Sequence, residues 1–466
     1  MLKALIQRAH RSALLWSWLN TALRVGAAVI ILPLAVRLIP RDELGLWYVF
    51  TALGAFSALL ELGFAYTVSI NTAYLWAGAS APRAMGLPTR AEDATSSPAH
   101  RLAPLVHTFV QFYRFVGLAI FFLLATAGSY WVWRQTSGLE WAASLRIAWF
   151  VYALGFAVNF SGSIWSALLN GLDRVRETQQ SQMTAALLGL SLSLIGLLLG
   201  WRAWALVLGQ ATTGFLTWTL VRRRFLRAIP ELKATKPRTD WSLIKTLWPL
   251  AWRNGMGALA AFMVAQANTL LCSAFLDLRA TASYGLSVQL IGTLSQVSGL
   301  WVGVKIPYIA QLRVAQGNRA VAPLFARRVT CFLITFAAGA IVLLVFGKTA
   351  LHLVRSQTPL LSTNLLILLL IVTVLGAHQG QYTALVATEN RNPFVPFFLG
   401  AGIASVLLSA FLTPRWDILG LIIAPGIAQA CINNWWTVWR GIRGMDITVR
   451  EYLQIWKRQW TRHPPQ

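Results

Sequence analysis

The chain has 466 residues, of which 56% are apolar and 12% charged, with a formal net charge of +25. A charged share about half that of a soluble domain excludes an ordinary water-soluble globule. Unbroken apolar runs exclude a membrane β-barrel, whose strands alternate over about ten residues, and the basic excess tracks the ends of those runs instead of forming a nucleic-acid-binding patch.

Twelve apolar segments follow one another, each about twenty residues or more, long enough to cross a bilayer as helices. The first, 12–39, comes after Lys3, Arg8 and Arg11. Its basic start imitates a signal peptide, but Arg24 interrupts the run and no small-residue cleavage site follows, so it is expected as span 1. Arg24 lies about 12 residues in, some 18 Å along a helix, too deep for easy snorkelling. Span 2, 44–78, carries Glu61, the one acidic residue of fifteen placed well inside a span. A polar connector, 79–103, holds Arg83, Arg90 and Arg101. Spans 3 and 4, 104–133 and 141–171, contain Arg114 and Arg146, close enough to the span ends to snorkel. Arg174 and Arg176 follow, then spans 5 and 6 at 180–200 and 203–222.

The segment 223–242 is a Pro-bearing linker with Arg223, Arg224, Arg227, Lys233, Lys236 and Arg238. Span 7, 243–276, places Arg253 about 10 residues in, and span 8, 281–312, places Lys305 nearer its cytoplasmic end. Spans 9 to 12 are 322–351, 358–388, 393–413 and 416–440, and the basic tail 441–466 includes Arg450, Lys457, Arg458 and Arg462. Loops on the other side are short, with the scattered cations Arg37, Arg41, Arg134, Arg202, Arg279, Lys348, Arg355 and Arg415. The positive-inside rule therefore places both termini in the cytoplasm of a multi-pass protein.

The second half repeats the first. Leu44-Gly45-Leu46 recurs as Tyr284-Gly285-Leu286, and Gly63 falls on Gly303 at the same offset. Ala103-Pro104-Leu105-Val106 is answered by Ala322-Pro323-Leu324-Phe325, and Ala167 to Arg174 by Ala384 to Arg391. Expected domains are an N-terminal lobe, 1–222, the linker 223–242, a C-terminal lobe, 243–440, and the tail 441–466. Six spans per lobe give both lobes the same orientation, the parallel-repeat arrangement typical of transporters.

An ionisable side chain at the bilayer centre costs about 3 kcal/mol on insertion scales and usually faces a cavity or a partner. Arg24, Arg114, Arg146, Arg253 and Lys305 fall within spans, against Glu61. A water-filled interior of positive potential keeps such an excess and attracts an anion. Arg24 and Arg253, one on each lobe, are the leading candidates for binding it, with Lys305 third, because planar guanidinium suits phosphate oxygens. Glu61 is expected to pair with Arg24, to bind a coupling proton or cation, or both. Pro33, Pro249, Pro307 and Pro425 invite bends within spans. Cys272, Cys331 and Cys431 are expected as small packing residues in apolar segments, and the scattered histidines form no metal motif, so neither a metal nor another cofactor is expected. Tryptophans near span ends, such as Trp131, Trp133, Trp201, Trp204, Trp435, Trp436 and Trp439, read as an interfacial belt.

Two stretches are less generic. Leu44-Gly45-Leu46-Trp47 opens span 2, and Leu60-Glu61-Leu62-Gly63-Phe64 lies near its other end. They resemble a recurring pattern of bacterial O-antigen and polysaccharide flippases, in which a Gly-aromatic start of span 2 precedes an acidic-x-Gly element. That family belongs to the multidrug/oligosaccharidyl-lipid/polysaccharide (MOP) exporter superfamily. The resemblance implies an all-α, MATE-like membrane fold with two six-helix lobes. It also implies a flippase moving a polyprenyl-pyrophosphate-linked oligosaccharide between leaflets of the bacterial inner membrane, with a polysaccharide polymerase and other assembly proteins as companions. Peptidoglycan-precursor flippases of the superfamily have two further spans and more cavity arginines, so that substrate is disfavoured by twelve spans. Its drug exporters rely on intramembrane acids, of which this sequence offers Glu61. A multidrug or metabolite antiporter is the first alternative. An integral membrane glycosyltransferase or ligase is the second, opposed by connectors (79–103 and 223–242) without a paired-carboxylate, Gly-rich phosphate or nucleophile motif.

Overall fold

A computed structural model describes residues 13–83, 97–233, 239–389 and 393–461. The basic residues Lys3, Arg8, Arg11, Arg90, Lys236, Arg238, Arg391 and Arg462 lie outside them. All regular elements among the described residues are helical. They form two compact units, Met1–Leu259 and Ala260–Gln466.

Unit 1 begins with α1 (Ala13–Leu38), α2 (Arg41–Ser57) and α3 (Phe64–Trp76). Pro40 in extended conformation (φ −55°, ψ 146°) stops α1 and starts α2, whose first turn carries Asp42 and Glu43, favourable at a helix N-terminus. Next come α4 (Pro98–Leu123), α5 (Ser129–Thr136), α6 (Ala142–Gly171), α7 (Val175–Leu198) and α8 (Ala203–Ala228). Ser97 caps α4 by accepting the His100 N–H at 3.3 Å, and Pro98 occupies its first turn, where no N–H is needed. A π-helical turn, Leu124–Gly128, joins α4 to α5, and the Trp149 ring lies against it, its indole N–H 3.1 Å from Ser129 Oγ. Small residues bring α6, α7 and α8 together: a Cβ on Gly162 would lie 2.6 Å from Trp218 Cβ, and one on Gly209 would meet Ser193 of α7.

The long helix α9 (Ser242–Ala265) begins in unit 1 and passes into unit 2 at Leu259. The unit boundary thus falls inside a helix, later than the linker at 223–242. Its first half belongs with unit 1 because Trp248 packs against Phe64 and Gly255 approaches the Leu62 backbone, where a Cβ would be 2.9 Å from Leu62 Cα. Within the 223–242 segment, α8 runs through Ala228 and a 3₁₀ turn follows at Pro230–Lys233.

Unit 2 continues with α10 (Ala267–Phe275), α11 (Leu278–Gly303), α12 (Ile306–Gln316), α13 (Val321–Leu353), α14 (Thr363–Ala387), α15 (Val395–Gln429), α16 (Trp435–Arg443) and α17 (Val449–Thr461). α15 joins the expected spans 11 and 12 through a non-helical pair, Trp416 (φ −126°) and Asp417 (φ 49°). The last helix, expected as a basic tail, folds back. The Tyr382 hydroxyl donates to Tyr452 Oη at 3.1 Å in a buried pair, and the Trp456 indole donates to Thr330 Oγ1 at 2.8 Å. Tyr452 thereby joins a core with Ile309, Phe325, Tyr382, Leu385 and Met445.

Seven helical stretches among the described residues are long and apolar enough to cross a membrane, or eight if the bent pair of α9 and α10 is one span. The expected spans 11 and 12 count once because α15 merges them, and Ser, Thr and Gln dilute the apolar residues of α8 and α11. The architecture is that of an all-α, multi-pass membrane protein.

Candidate functional site

Both spans related by the Gly63/Gly303 correspondence are broken, and at those glycines. In the first, α2 tightens into a 3₁₀ turn at Ala58–Glu61, and the chain then passes through Leu62 (φ 55°) and Gly63 (φ 75°) before α3 begins. Two consecutive left-handed residues cannot continue a right-handed helix, and for Leu62 the conformation carries a Cβ penalty of about 1–2 kcal/mol. The break exposes the first amides of α3. Glu61 answers them, its Oε1 accepting the Ala65 N–H at 3.1 Å and the Tyr113 hydroxyl at 2.8 Å. A carboxylate at a helix N-terminus is favoured by the dipole as well as by the hydrogen bond.

Tyr113 is fully buried and stacks on Phe160 with ring centroids 5.6 Å apart. Phe64, Phe109 and Phe112 pack edge-on or tilted around it, with Phe64 and Phe112 centroids 5.0 Å apart. Glu61 is half-buried beside this apolar wall. One oxygen is fixed by donors, while its Oε2 has no protein donor among the described residues. The Tyr113 partner escapes sequence reading because it sits 52 residues away in a run of aromatics. The expected pairing of Glu61 with Arg24 falls outside the described residues. Arg24 lies on α1, and its side chain is not among those described.

The second break lies between α11 and α12. α11 ends at Gly303, Val304 caps it, and Lys305 (φ −96°, ψ −3°) stands at the N-cap of α12 with Pro307 in the first turn. Lys305 is thus at a helix discontinuity, and not within a continuous span end as expected. Its Nζ lies 5.5 Å from the centre of the Tyr308 ring, a loose cation–π distance, and the side chain is half-buried. Of the four expected kink prolines, Pro307 is the one at a break. Pro33, Pro249 and Pro425 lie inside helices, at positions where the helical path continues.

Arg253 is exposed on α9, and no hydrogen bond or ion pair holds it among the described residues. It sits two residues before Gly255, so it projects from roughly the opposite side of the helix to the face that touches Leu62. Arg114 is exposed too, whereas Arg146 reaches the end of α5, its Nε 3.1 Å from Thr136 Oγ1 and its guanidinium 4.7 Å from the Trp133 ring. Cys272 is buried and Cys331 partly so, but Cys431, in the π-helical turn Ala430–Asn434, is exposed and does not pack as expected.

Unit 2 contains a charged cluster that sequence reading missed. Glu389 after α14 lies 3.1 Å from Arg313 Nη1 and 3.6 Å from Arg440 Nη2, and Arg313 is nearly buried. Its members are 76 and 51 positions apart in chain order and share no local motif that could have revealed them. With Arg313 Nη2 also 3.4 Å from the Gly444 carbonyl, the cluster ties α12 to the segment before α17.

No protein-family model matches the sequence, and no curated protein matches it. Solved structures do match in fold. A lipid II flippase, MurJ, in an inward closed conformation, superposes with a TM-score of 0.62 at 10% identity over 95% of this chain and 91% of that one. An inward-facing multidrug resistance MATE family transporter of the MOP superfamily gives 0.61 at 10% identity, over 92% and 96% of the two chains. The MATE multidrug transporter DinF-BH gives 0.56 at 14% identity over 94% and 98%. At these identities the likeness concerns the fold, which is MATE-like.

Proposed function

We propose that the chain is a membrane flippase that carries a polyprenyl-pyrophosphate-linked oligosaccharide from the inner to the outer leaflet of the bacterial cytoplasmic membrane by alternating access. The observation that carries this reading is the pair of broken helices, one of them with Lys305 at its break, together with an exposed Arg253 that has no acidic partner among the described residues. Discontinuous spans are a recurrent device for building substrate sites and hinges in transporters. Arg253 stands exposed without an acidic partner among the described residues, and Lys305 opens a half-helix, so each is positive charge suited to a diphosphate. Arg24 is assigned the same role from its depth in span 1. A fold shared with a lipid II flippase supports the reading.

The test is reconstitution. In proteoliposomes carrying a fluorescent polyprenyl-pyrophosphate oligosaccharide, the wild-type chain is expected to expose the label to the opposite leaflet. Arg24→Ala and Arg253→Ala are each expected to slow this roughly tenfold or more at matched protein levels. Unchanged rates in both variants would refute the assigned roles, and no flipping by the wild type would refute the function. A second reading, a multidrug or metabolite antiporter, rests on Glu61, whose carboxylate at a helix break suits cation or proton coupling. Hypersensitivity of a deletion strain to cationic drugs, with normal surface polysaccharide, would favour it.

A further inference from the structure

Away from the helix breaks, unit 1 holds a second cationic feature. Where α6 hands over to α7 and where α8 ends, Arg174, Arg176, Arg224 and Arg227 line a cavity of about 650 Å³. Two carboxylates, Asp173 and Glu177, line it as well, leaving an excess of positive charge. Glu177 is engaged by Arg174 Nη1 at 3.2 Å. Arg224 is held in place by the Glu177 carbonyl at 2.7 Å and Gln180 Oε1 at 3.1 Å. Arg176 Nε is buried with no hydrogen-bond partner among the described residues.

The positions of these arginines matter as much as their number. Arg224 and Arg227 close α8, where the helix dipole is negative and welcomes cations, so the stability of α8 accounts for them. Arg174 and Arg176 stand at the N-cap and in the first turn of α7, where the dipole is positive and disfavours them. No side chain caps that turn. Glu177, in the same first turn, offsets Arg174, which leaves Arg176 against the dipole with its Nε buried and without a hydrogen-bond partner among the described residues, a charge that an incoming anion stabilises.

We infer that this cavity binds the phosphate of an anionic lipid headgroup at the membrane surface. Guanidinium forks match phosphate oxygens, the uncapped amides of α7 add backbone donors, and basic pockets between spans on the positive side of a membrane take such headgroups. The site lies within unit 1 and does not depend on the transport reading.

Native mass spectrometry of the full chain in detergent, titrated with phosphatidylglycerol or phosphatidylcholine, tests it. The wild type is expected to retain phosphatidylglycerol preferentially, and Arg176→Gln and Arg227→Gln each to weaken retention about fivefold. Arg134→Gln, near the opposite ends of the spans, is expected to change nothing. Equal retention in all variants would overturn the inference. Arg227 is exposed, so its variant is expected to fold and by itself decides the matter even where Arg176→Gln does not. Displacement of the lipid by an equal concentration of inorganic phosphate or pyrophosphate would overturn the lipid assignment in favour of a soluble anion.

Discussion

Tyr113 donates its hydroxyl to a carboxylate that also caps a helix, so one phenol bears on both the fold and the chemistry of the first break. Tyr113→Phe removes that donor with little change in volume. A hydrogen bond to a charged acceptor contributes about 1.5–3 kcal/mol, and because Glu61 is only half-buried, water replaces part of the loss, leaving about 1 kcal/mol. A thermal melt in detergent is expected to show that decrease, and a melt identical to the wild type would mean that Glu61 does not depend on the phenol. Sequence reading found Glu61, because a lone acid in an apolar run is conspicuous. It could not find Tyr113, since one more aromatic among Phe109, Phe112 and Phe115 carries no distinguishing mark until the fold places it.

Glycine at each break plays a different part at the scale of the element. Gly63 adopts φ 75°, so Gly63→Ala adds a left-handed penalty of about 1 kcal/mol. Gly303 has no neighbour within 4 Å of a built Cβ and no such φ, so Gly303→Ala is expected to leave the melting temperature unchanged. Equal effects of the two would show that the breaks are held by something other than backbone conformation. The repeat made both positions legible in the sequence, whereas of the prolines Pro307 alone marked a break, and Pro33, Pro249 and Pro425 lie inside helices.

The docking of α17 was illegible for a related reason. Its charged residues resemble a solvated tail, while Tyr452 and Trp456 find partners 70 and 126 positions away. Thr448 and Glu451 form its capping box: the Thr448 N–H reaches Glu451 Oε2 at 2.7 Å, and the Glu451 N–H reaches Thr448 Oγ1 at 3.2 Å. The Thr448 backbone, then its hydroxyl, hold the Glu451 carboxyl below the usual carboxylate range, with Arg319 adding to this. A depressed folded pKa stabilises above the unfolded value, about 4.3, and the effect is lost as pH falls through the folded value. Protection factors over 449–461, referenced to the intrinsic exchange rate at each pH, are therefore expected to be highest at neutral pH and to fall as the pH drops below the unfolded value, about 4.3. Protection independent of pH across that window would remove Glu451 from the account.

For the whole molecule, the all-helical membrane class was readable from composition and the length of the apolar runs, because a bilayer permits few solutions, while the MATE-like architecture was implied by the resemblance carried by the motifs around Gly45 and Gly63. Orientation is a separate matter, set by where arginine and lysine gather. A fluorescent reporter joined after residue 466 is expected to mature in the cytoplasm, and a reporter active only outside would invert the positive-inside assignment. The unit boundary was less legible than the fold, since α9 reads as one apolar run while its first half packs on Phe64 and Leu62.

Because Tyr452 is translated 70 residues after Tyr382, α15 and α16 must be made before the core around Tyr382 receives its final ring. Until then the nascent chain leaves that patch unsealed. A premature stop codon at position 449 therefore removes both Tyr452 and Trp456 and leaves that core without its closing wedge.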